Sequence, residues 1–394
     1  MAKPQRRVLI AGGGIGGLSA SIALARYGIE TTVLERSSFA EETGAGIQLG
    51  PNATRLLRAL GVLDAIEQAA FEPEAVWVFD GLSGRRLAIV PLGPEAEEHY
   101  GAPYLTLHRA DLHAALLAVA RQLALVEIRP NFEIARFEAD EETVAVGTAG
   151  GSSIEGSSLV GADGLWSAAR KWIAPDARLR FTGGTACRAL LSVNGLQGVF
   201  GEPIVGLWLG PGSHLVHYPV RGGKALNVVA VIDSGSETQG WNQAADPDAL
   251  RAGFTHWCKD SKSLLEQAEG WRLWSLYRLR PLGHWSRGPT TLLGDAAHPV
   301  LPFLAQGAAL AIEDAVALAA SLAANRDNAA EAFLGYETLR RRRTTRVQRV
   351  SRRFGWLYHL RGPARLARNF ALARRDATTA LDRLDWLYGE RTLS

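Results

Sequence analysis

The sequence predicts an α/β fold: a βαβ nucleotide-binding domain, an inserted β-sheet domain and a helical carboxy-terminal segment. Three observations predict it. A strand, a glycine-rich turn and an Ala-rich helix open the chain at residues 7–27, strand-like runs with interleaved aromatics fill residues 181–233, and beyond Asn325 the pattern turns helical.

A chain of 394 residues suggests two or three folding units. Composition is that of a globular protein, 47% hydrophobic and 21% charged. A net charge of +3 is too small to mark the whole chain as a nucleic-acid binder. Cys187 and Cys258 lie far apart without CxxC or Cys/His spacing. Neither a disulfide framework nor a metal site is expected, and a reducing, cytoplasmic location is. Arg6-Arg7 followed by Val8-Leu9-Ile10 imitates the start of a signal peptide, but the apolar run is too short. The most apolar helix candidate, Ala308 to Ala324, is interrupted by Glu313-Asp314 and falls short of a bilayer span.

In the first unit, Arg7-Val8-Leu9-Ile10-Ala11 reads as a buried strand. Gly12 to Gly17 fits GxGxxG: Gly12 permits the tight turn, Gly14 lets backbone approach a pyrophosphate, and Gly17 lets helix pack on strand. The helix runs on through Leu18 to Tyr27, with Gly28 as its C′ residue, and its free N–H groups face the phosphates. A second strand, Thr31 to Leu34, ends in Glu35, eighteen residues past Gly17, where a carboxylate accepts hydrogen bonds from a ribose diol. Glu35 argues against a 2′-phosphate, and Arg36 beside it leaves that point open.

Two later turns follow strands. Ser158 to Gly161 runs into Ala162-Asp163-Gly164, with Ser167 or Asp163 placed to cap a helix from Ala168; taken alone, this reads equally well as a structural Asp-Gly turn. Thr290 to Leu293 enters Gly294-Asp295-Ala296-Ala297-His298-Pro299, and Gln306-Gly307-Ala308 opens a long helix. Its N–H groups suit a flavin ring edge, and Asp295 a ribityl hydroxyl or the pyrophosphate region. One ligand gripped by the first and last thirds of the chain is the logic of a flavin enzyme. His298 reads as fixing its loop, with a place near the flavin as the lesser reading.

Strand-like runs between Phe181 and Asp233, with Trp208, Tyr218 and Trp241 interleaved, suit a sheet roofing the flavin. Period-2 alternation places His214, Val216 and Tyr218 on one face and His217 on the other. Farther on, Glu331 to Arg349 reads as a long helix. Arg340 to Arg375 holds thirteen arginines and no acidic residue. A solvated helical face or dimer contact, with Trp356, Leu357 and Tyr358 packing inward, is expected over a membrane or nucleic-acid surface, because the whole chain is near neutral.

These motifs resemble those of the single-component FAD-dependent aromatic hydroxylases, the class A flavin monooxygenases. The resemblance rests on Gly12 to Gly17, on Gly161-Ala162-Asp163-Gly164, and on Gly294-Asp295 through Gly307. Further matches are Gly44-Ala45-Gly46-Ile47-Gln48-Leu49-Gly50-Pro51-Asn52, Leu107-His108-Arg109-Ala110-Asp111-Leu112 and Asp385-Trp386-Leu387-Tyr388-Gly389. It covers nearly the whole chain in order and is nearest the salicylate, 3-hydroxybenzoate and 6-hydroxynicotinate hydroxylase branch.

The resemblance implies a discontinuous Rossmann-like FAD-binding domain over 1–72, 104–180 and 281–324. A substrate domain would cover 73–103 and 181–280, and a helical segment 325–394. FAD would be held by Gly12, Gly14, Gly17, Glu35, Arg36, Gln48, Arg109, Asp163, Asp295, Gly307 and Ala308. Of these, Arg109 takes the pyrophosphate or ribityl region, and Asp163 is linked to both FAD and the nicotinamide. Without a second GxGxxG, NADH or NADPH visits a surface groove near Asp163. His214 and Tyr218 become catalytic, holding or deprotonating a ring hydroxyl, and Gln48, Pro302 and Phe303 line the substrate pocket. Relatives often carry His or Gln where this chain has Pro302 or Phe303, so an apolar pocket floor is expected.

The implied activity is NAD(P)H- and O₂-dependent hydroxylation of a small phenolic or heteroaromatic acid through a flavin C4a-hydroperoxide. A lipophilic quinone-pathway ring, or a non-oxygenating NAD(P)- or FAD-dependent oxidoreductase, stands as an alternative. The expected partner is a small aromatic molecule, with no nucleic acid, no stable membrane association and no metal, in a monomer or homodimer.

Overall fold

The computed structural model describes residues 7–39, 45–141, 143–237 and 243–390. The expectations for Arg6, Gly44 and Trp241 lie outside these residues. A six-stranded sheet runs in the order Ser286–Arg287, Thr290–Leu292, Ser158–Gly161, Arg7–Ala11, Glu30–Leu34, Val126–Arg129. All its pairs are parallel except the outermost, between Ser286–Arg287 and Thr290–Leu292. The apolar runs read from the sequence are thus strands buried between helix layers, as a parallel sheet requires.

Between the first strand and the helix Ile15–Arg26, Gly12 turns at φ +104°. A Cβ at Gly17 would stand 1.9 Å from the Gly12 carbonyl oxygen. The helix ends as expected, with Gly28 at φ +72° donating to the Ala25 carbonyl.

The second sheet has eight strands, ordered Gln243–Ala244, Arg272–Arg278, Arg180–Ser192, Ala225–Asp233, Ser213–Val220, Ile204–Gly210, Ala75–Asp80, Arg86–Pro91. Its register sets out a grid on one face: His214 beside Val231 and Ala186, Val216 beside Val229 and Arg188, Tyr218 beside Asn227 and Leu190. The opposite face packs Leu215, Trp208, Phe254 and Trp257 into a second core. One face is core and the other looks toward the nucleotide-binding sheet.

The helix Gly307–Ala324 corrects the expectation that it falls short of a membrane span. By length and composition alone its 18 residues suffice, but 61% of them are buried inside the protein. It packs against Ile15–Arg26, Pro51–Ala59 and the long helix, and is a core element.

That long helix covers Ala329–Tyr358, thirty residues, and overshoots the predicted 331–349 at both ends. Its inward face is Tyr336, Arg340, Thr344, Val347, Ser351 and Gly355. This phase leaves Trp356, about 100° round the helix from Gly355, 65% exposed, which corrects its expected inward packing. Leu357 and Tyr358 are half-buried. Nor are the arginines all solvated, because Arg340 is 2% exposed.

Candidate active site

The grid face of the large sheet and the carboxyl ends of the parallel strands bound a cleft with a cavity of about 360 Å³. Gly14, Arg109, Asp295 and Gly307 line one side, and Arg188, His214 and Tyr218 the other. A second, mostly apolar cavity of about 270 Å³ adjoins it and shares Gln48, His214, Val216 and Pro302.

At the nucleotide end, Gly14 is the N-cap of the first helix, and a Cβ there would meet nothing within 4 Å. Its freedom from side-chain bulk therefore matters to whatever enters the cleft, not to the fold. Glu35 ends its strand, and its carboxylate accepts the Gly13 N–H at 2.7 Å and the Ser37 N–H at 2.8 Å. Arg36 beside it is exposed and does not line the cleft. Arg109 opens the helix Arg109–Gln122, its N–H donating to the Ala45 carbonyl.

Asp163, expected beside FAD and the nicotinamide, is also tied to the helix that follows its turn. Its Oδ2 accepts the Ala168 and Ala169 N–H groups at 2.6 and 3.1 Å, while Ser167 Oγ accepts from Arg170 N. Both candidate caps therefore operate, and Ala162 and Gly164 line the cleft in place of Asp163. Asp163 Oδ1 is buried without a partner among the described residues.

The turn Gly294–His298 is fixed from behind. Asp314 accepts the Gly294 N–H at 3.1 Å, His298 Nε2 at 2.5 Å and Arg340 Nε at 2.8 Å. Burial alone would raise the Asp314 pKa, but the His298 and Arg340 charges and hydrogen bonds overcome it and hold the carboxyl at about 2. Beside it Glu313 accepts from Arg340, Arg343 and Asn52. His298, 3% exposed and packed against the Trp285 ring, is the loop-fixing residue of the first reading. Asp295 projects the other way into the open cleft, yet protein crowding raises its pKa against the pull of His298, Arg109 and Arg170. Gly307 and Ala308 form the first turn of the core helix and line the same cavity.

At the other end, strand alternation places His214 and Tyr218 toward the cleft and His217 away from it. His217 sits against Phe200 and Trp208 with neither ring nitrogen partnered among the described residues, and burial pushes its pKa down to about 3. Burial and then the neighbouring His359 hold His214 well below the usual histidine range. Tyr218 is pushed up to about 12 by burial, against Arg188 and a hydrogen bond with Gln48. The strand Gly46–Leu49 carrying Gln48 is tied to the sheet where Asn227 Oδ1 accepts the Gly46 N–H at 2.7 Å. Phe303 packs on His214 with ring centroids 5.4 Å apart, and it leaves no room for a side chain at Gly355.

Sequence reasoning missed several residues here. Tyr104 donates to Gln48 Oε1 at 2.7 Å in the second cavity. The Arg188 guanidinium lies over the Trp274 ring, its Nε buried without a partner among the described residues and its pKa lowered by burial. A lone arginine in the apolar strand Ala186 to Leu191 was a readable signal for it. No local signal marks His359, whose Nε2 lies 2.8 Å from His214 Nδ1.

Two helix N-termini, an open glycine, Arg109 and a polar acid along one long cleft fit a dinucleotide with an anionic middle. Residues 5–353 match the family described as FAD binding domain. The chain belongs to this family. It is 38% identical over 390 residues to a 3-hydroxybenzoate 6-hydroxylase of Aquipseudomonas alcaligenes, covering 99% of both chains. It is 35% identical to a 6-hydroxynicotinate 3-monooxygenase of Bordetella bronchiseptica, covering 89% of this chain and 92% of the relative. Among solved structures, Klebsiella pneumoniae HpxO complexed with FAD and uric acid superposes with a TM-score of 0.83 at 26% identity, covering 97% and 96%. The family member described here is an FAD-dependent aromatic monooxygenase of the class that draws electrons from NAD(P)H.

Proposed function

We propose that this flavoprotein hydroxylates a small ring bearing a phenolic hydroxyl and an acidic substituent. One observation carries the reading: His214 and Tyr218 stand on one sheet face, and His214 lines both the cleft and the apolar cavity. A neutral His214 can take the proton of a ring hydroxyl at Nε2. A Tyr218 that keeps its own proton donates a hydrogen bond to the phenolate oxygen. Val76, Val78, Val205, Leu207 and Phe303 give the second cavity an apolar wall that excludes water. Arg188 is a desolvated cation available to a carboxylate. The activities for which the relatives are named, on 3-hydroxybenzoate and 6-hydroxynicotinate, support a substrate of this class.

For the cofactor, the reading assigns the pyrophosphate to Gly12, Gly14, Gly17 and Arg109, and a ribose to Glu35. Asp295 takes the ribityl chain, and Gly307 and Ala308 the ring edge. Bound there, FAD supplies the redox chemistry, taking electrons from NAD(P)H and activating O₂ for transfer of one oxygen atom. Arg36 is left as a surface charge. Asp163 shapes its turn, past which the nicotinamide would enter. The predicted domain division is retained, supported by the two sheets, which draw their strands from those segments to within one residue. We place the enzyme in the cytoplasm as a monomer or homodimer acting on a free small molecule.

The test is stimulation of NAD(P)H oxidation, coupled to ¹⁸O₂ incorporation, across hydroxybenzoates, aminophenols and hydroxypyridines. His214→Ala should lower hydroxylation by about 10²- to 10⁴-fold, and Tyr218→Phe by less. An unchanged rate and coupling in both variants would remove their catalytic assignment. A lipophilic ring is the second reading, favoured by the apolar cavity and by the exposed Trp356, Leu366 and Phe370 among arginines. Sedimentation with anionic lipid vesicles separates it, since a free-acid hydroxylase stays in the supernatant.

A further inference from the structure

We propose that His214, His359 and Asp233 form a relay carrying the ring-hydroxyl proton between the buried site and solvent. The proposal rests on His214 as the base, and the variants below separate the two. His214 is buried, the His359 side chain is 11% exposed and the Asp233 side chain 51%, so the three step outward. His214 Nδ1 lies 2.8 Å from His359 Nε2, and His359 Nδ1 lies 2.9 Å from Asp233 Oδ1.

The outermost group sets the direction of every bond. An ionised carboxylate only accepts, so His359 Nδ1 carries its proton and donates it to Asp233. A neutral His359 then presents a lone pair at Nε2, which accepts the proton on His214 Nδ1. That leaves His214 Nε2 unprotonated and without a partner among the described residues. The relay therefore selects the tautomer in which His214 is a base toward the cavities it lines.

Proton transfer balances along the chain. The phenolic O–H bond breaks as His214 Nε2 gains the proton, His214 Nδ1 gives its own to His359 Nε2, and His359 Nδ1 gives one to Asp233 or to water. Run in reverse, the path returns a proton to the product's oxygen and restores both tautomers. No ring need hold a lasting charge, which suits a buried His214 that resists protonation.

The surroundings match this role. A surface cavity of about 450 Å³, lined by Asp233, His359, Arg352 and Arg361, brings water to the outer end. His214 and Asp233 from the sheet strands lie within hydrogen-bond distance of His359, and Arg352 and Arg361 line the same surface cavity. Gly212 N donates to the His359 carbonyl at 3.2 Å and Asp233 N to the Gly212 carbonyl at 2.9 Å, which holds both outer members against one turn.

The experiment mixes holoenzyme with 3-hydroxybenzoate, or the phenolic acid that most stimulates NAD(P)H oxidation, and follows proton release with an indicator dye by stopped flow. His359→Gln should keep substrate affinity while slowing proton release and hydroxylation by about 10- to 100-fold. His359→Ala should show the same loss, recovered saturably by added imidazole entering from the surface cavity. The rescued rate should follow the pH dependence of free imidazole. Wild-type release in both His359 variants, with release lost in His214→Ala, overturns the relay and leaves the base. A loss that imidazole does not restore while substrate affinity is intact also overturns the relay. Wild-type release in His214→Ala overturns the base reading itself.

Discussion

At Gly12–Gly17 the backbone is so close to itself that side chains are shut out, whereas at Gly294–His298 it is side chains from elsewhere that hold the backbone in place. A Cβ at Gly12 would lie 2.5 Å from the Ala162 carbonyl oxygen, and one at Gly17 even closer to Gly12. The second turn depends on Asp314, which reaches Gly294, His298 and Arg340 at once. One turn is steric and local, the other electrostatic and long-range. Both face the same cleft, so each fails in its own way.

The largest effect should come from the electrostatic turn. Asp314→Ala leaves Arg340 with Glu313 alone, removes the carboxylate partner of His298 in the interior and frees the Gly294 N–H. Removing one member of a buried ion pair costs about 3–5 kcal/mol, a fall in apoprotein melting temperature of about 10 °C. The same carboxyl makes the fold acid-sensitive. Its pKa is lowered from 3.8 to about 2, so its contribution is complete above the unfolded value and is lost as pH falls through the folded one. The shift corresponds to roughly 2 kcal/mol. Acid unfolding of wild type against Asp314→Asn reads it; coincident acid midpoints would show that the charge at Asp314 does not hold the turn.

The steric turn separates fold from binding. Gly17→Ala should lower apoprotein stability by about 1–3 kcal/mol through overpacking, with FAD lost as a consequence. Gly14→Ala should leave the melting temperature of the apoprotein unchanged, since its Cβ meets open space, while weakening FAD by about tenfold or more through crowding of the pyrophosphate. Fluorescence titration of apoprotein with FAD measures the second effect. Equal loss of stability in both variants would break the distinction.

The same contrast explains what could be read from the sequence. Strand, glycine turn, helix and Glu35 are legible because each requirement is met within about thirty residues, and strand period alone places His214 and Tyr218 on one face. The buried charge network is not legible, because Glu313 and Asp314 find Arg340 across 27 and 26 positions and between two helices. In sequence they look like an interruption in an apolar helix and the start of a solvated arginine run. The inward expectation for Trp356 failed for a related reason. Gly355, not Trp356, faces inward against Phe303, a contact that sequence period does not reveal. His359 lies at a helix end 145 residues from His214, with no motif to announce it.

Asp163 stands between the two kinds of turn and gives the smallest effect. Its Oδ2 caps the helix Ala168–Ile173 locally, while its charge acts on the buried Arg170, whose guanidinium donates to the Ala296 carbonyl at the electrostatic turn. If the cap is its main work, Asp163→Ala should cost about 1 kcal/mol of stability and leave affinity for FAD and for NAD(P)H nearly unchanged. Asp163→Asn should be milder still, because its amide oxygen can accept the same N–H groups. The buried, unpartnered Oδ1 offers the contrary outcome. A large loss of NAD(P)H affinity in Asp163→Asn, with the melting temperature intact, would mean that the charge reaches a ligand and not only a helix end.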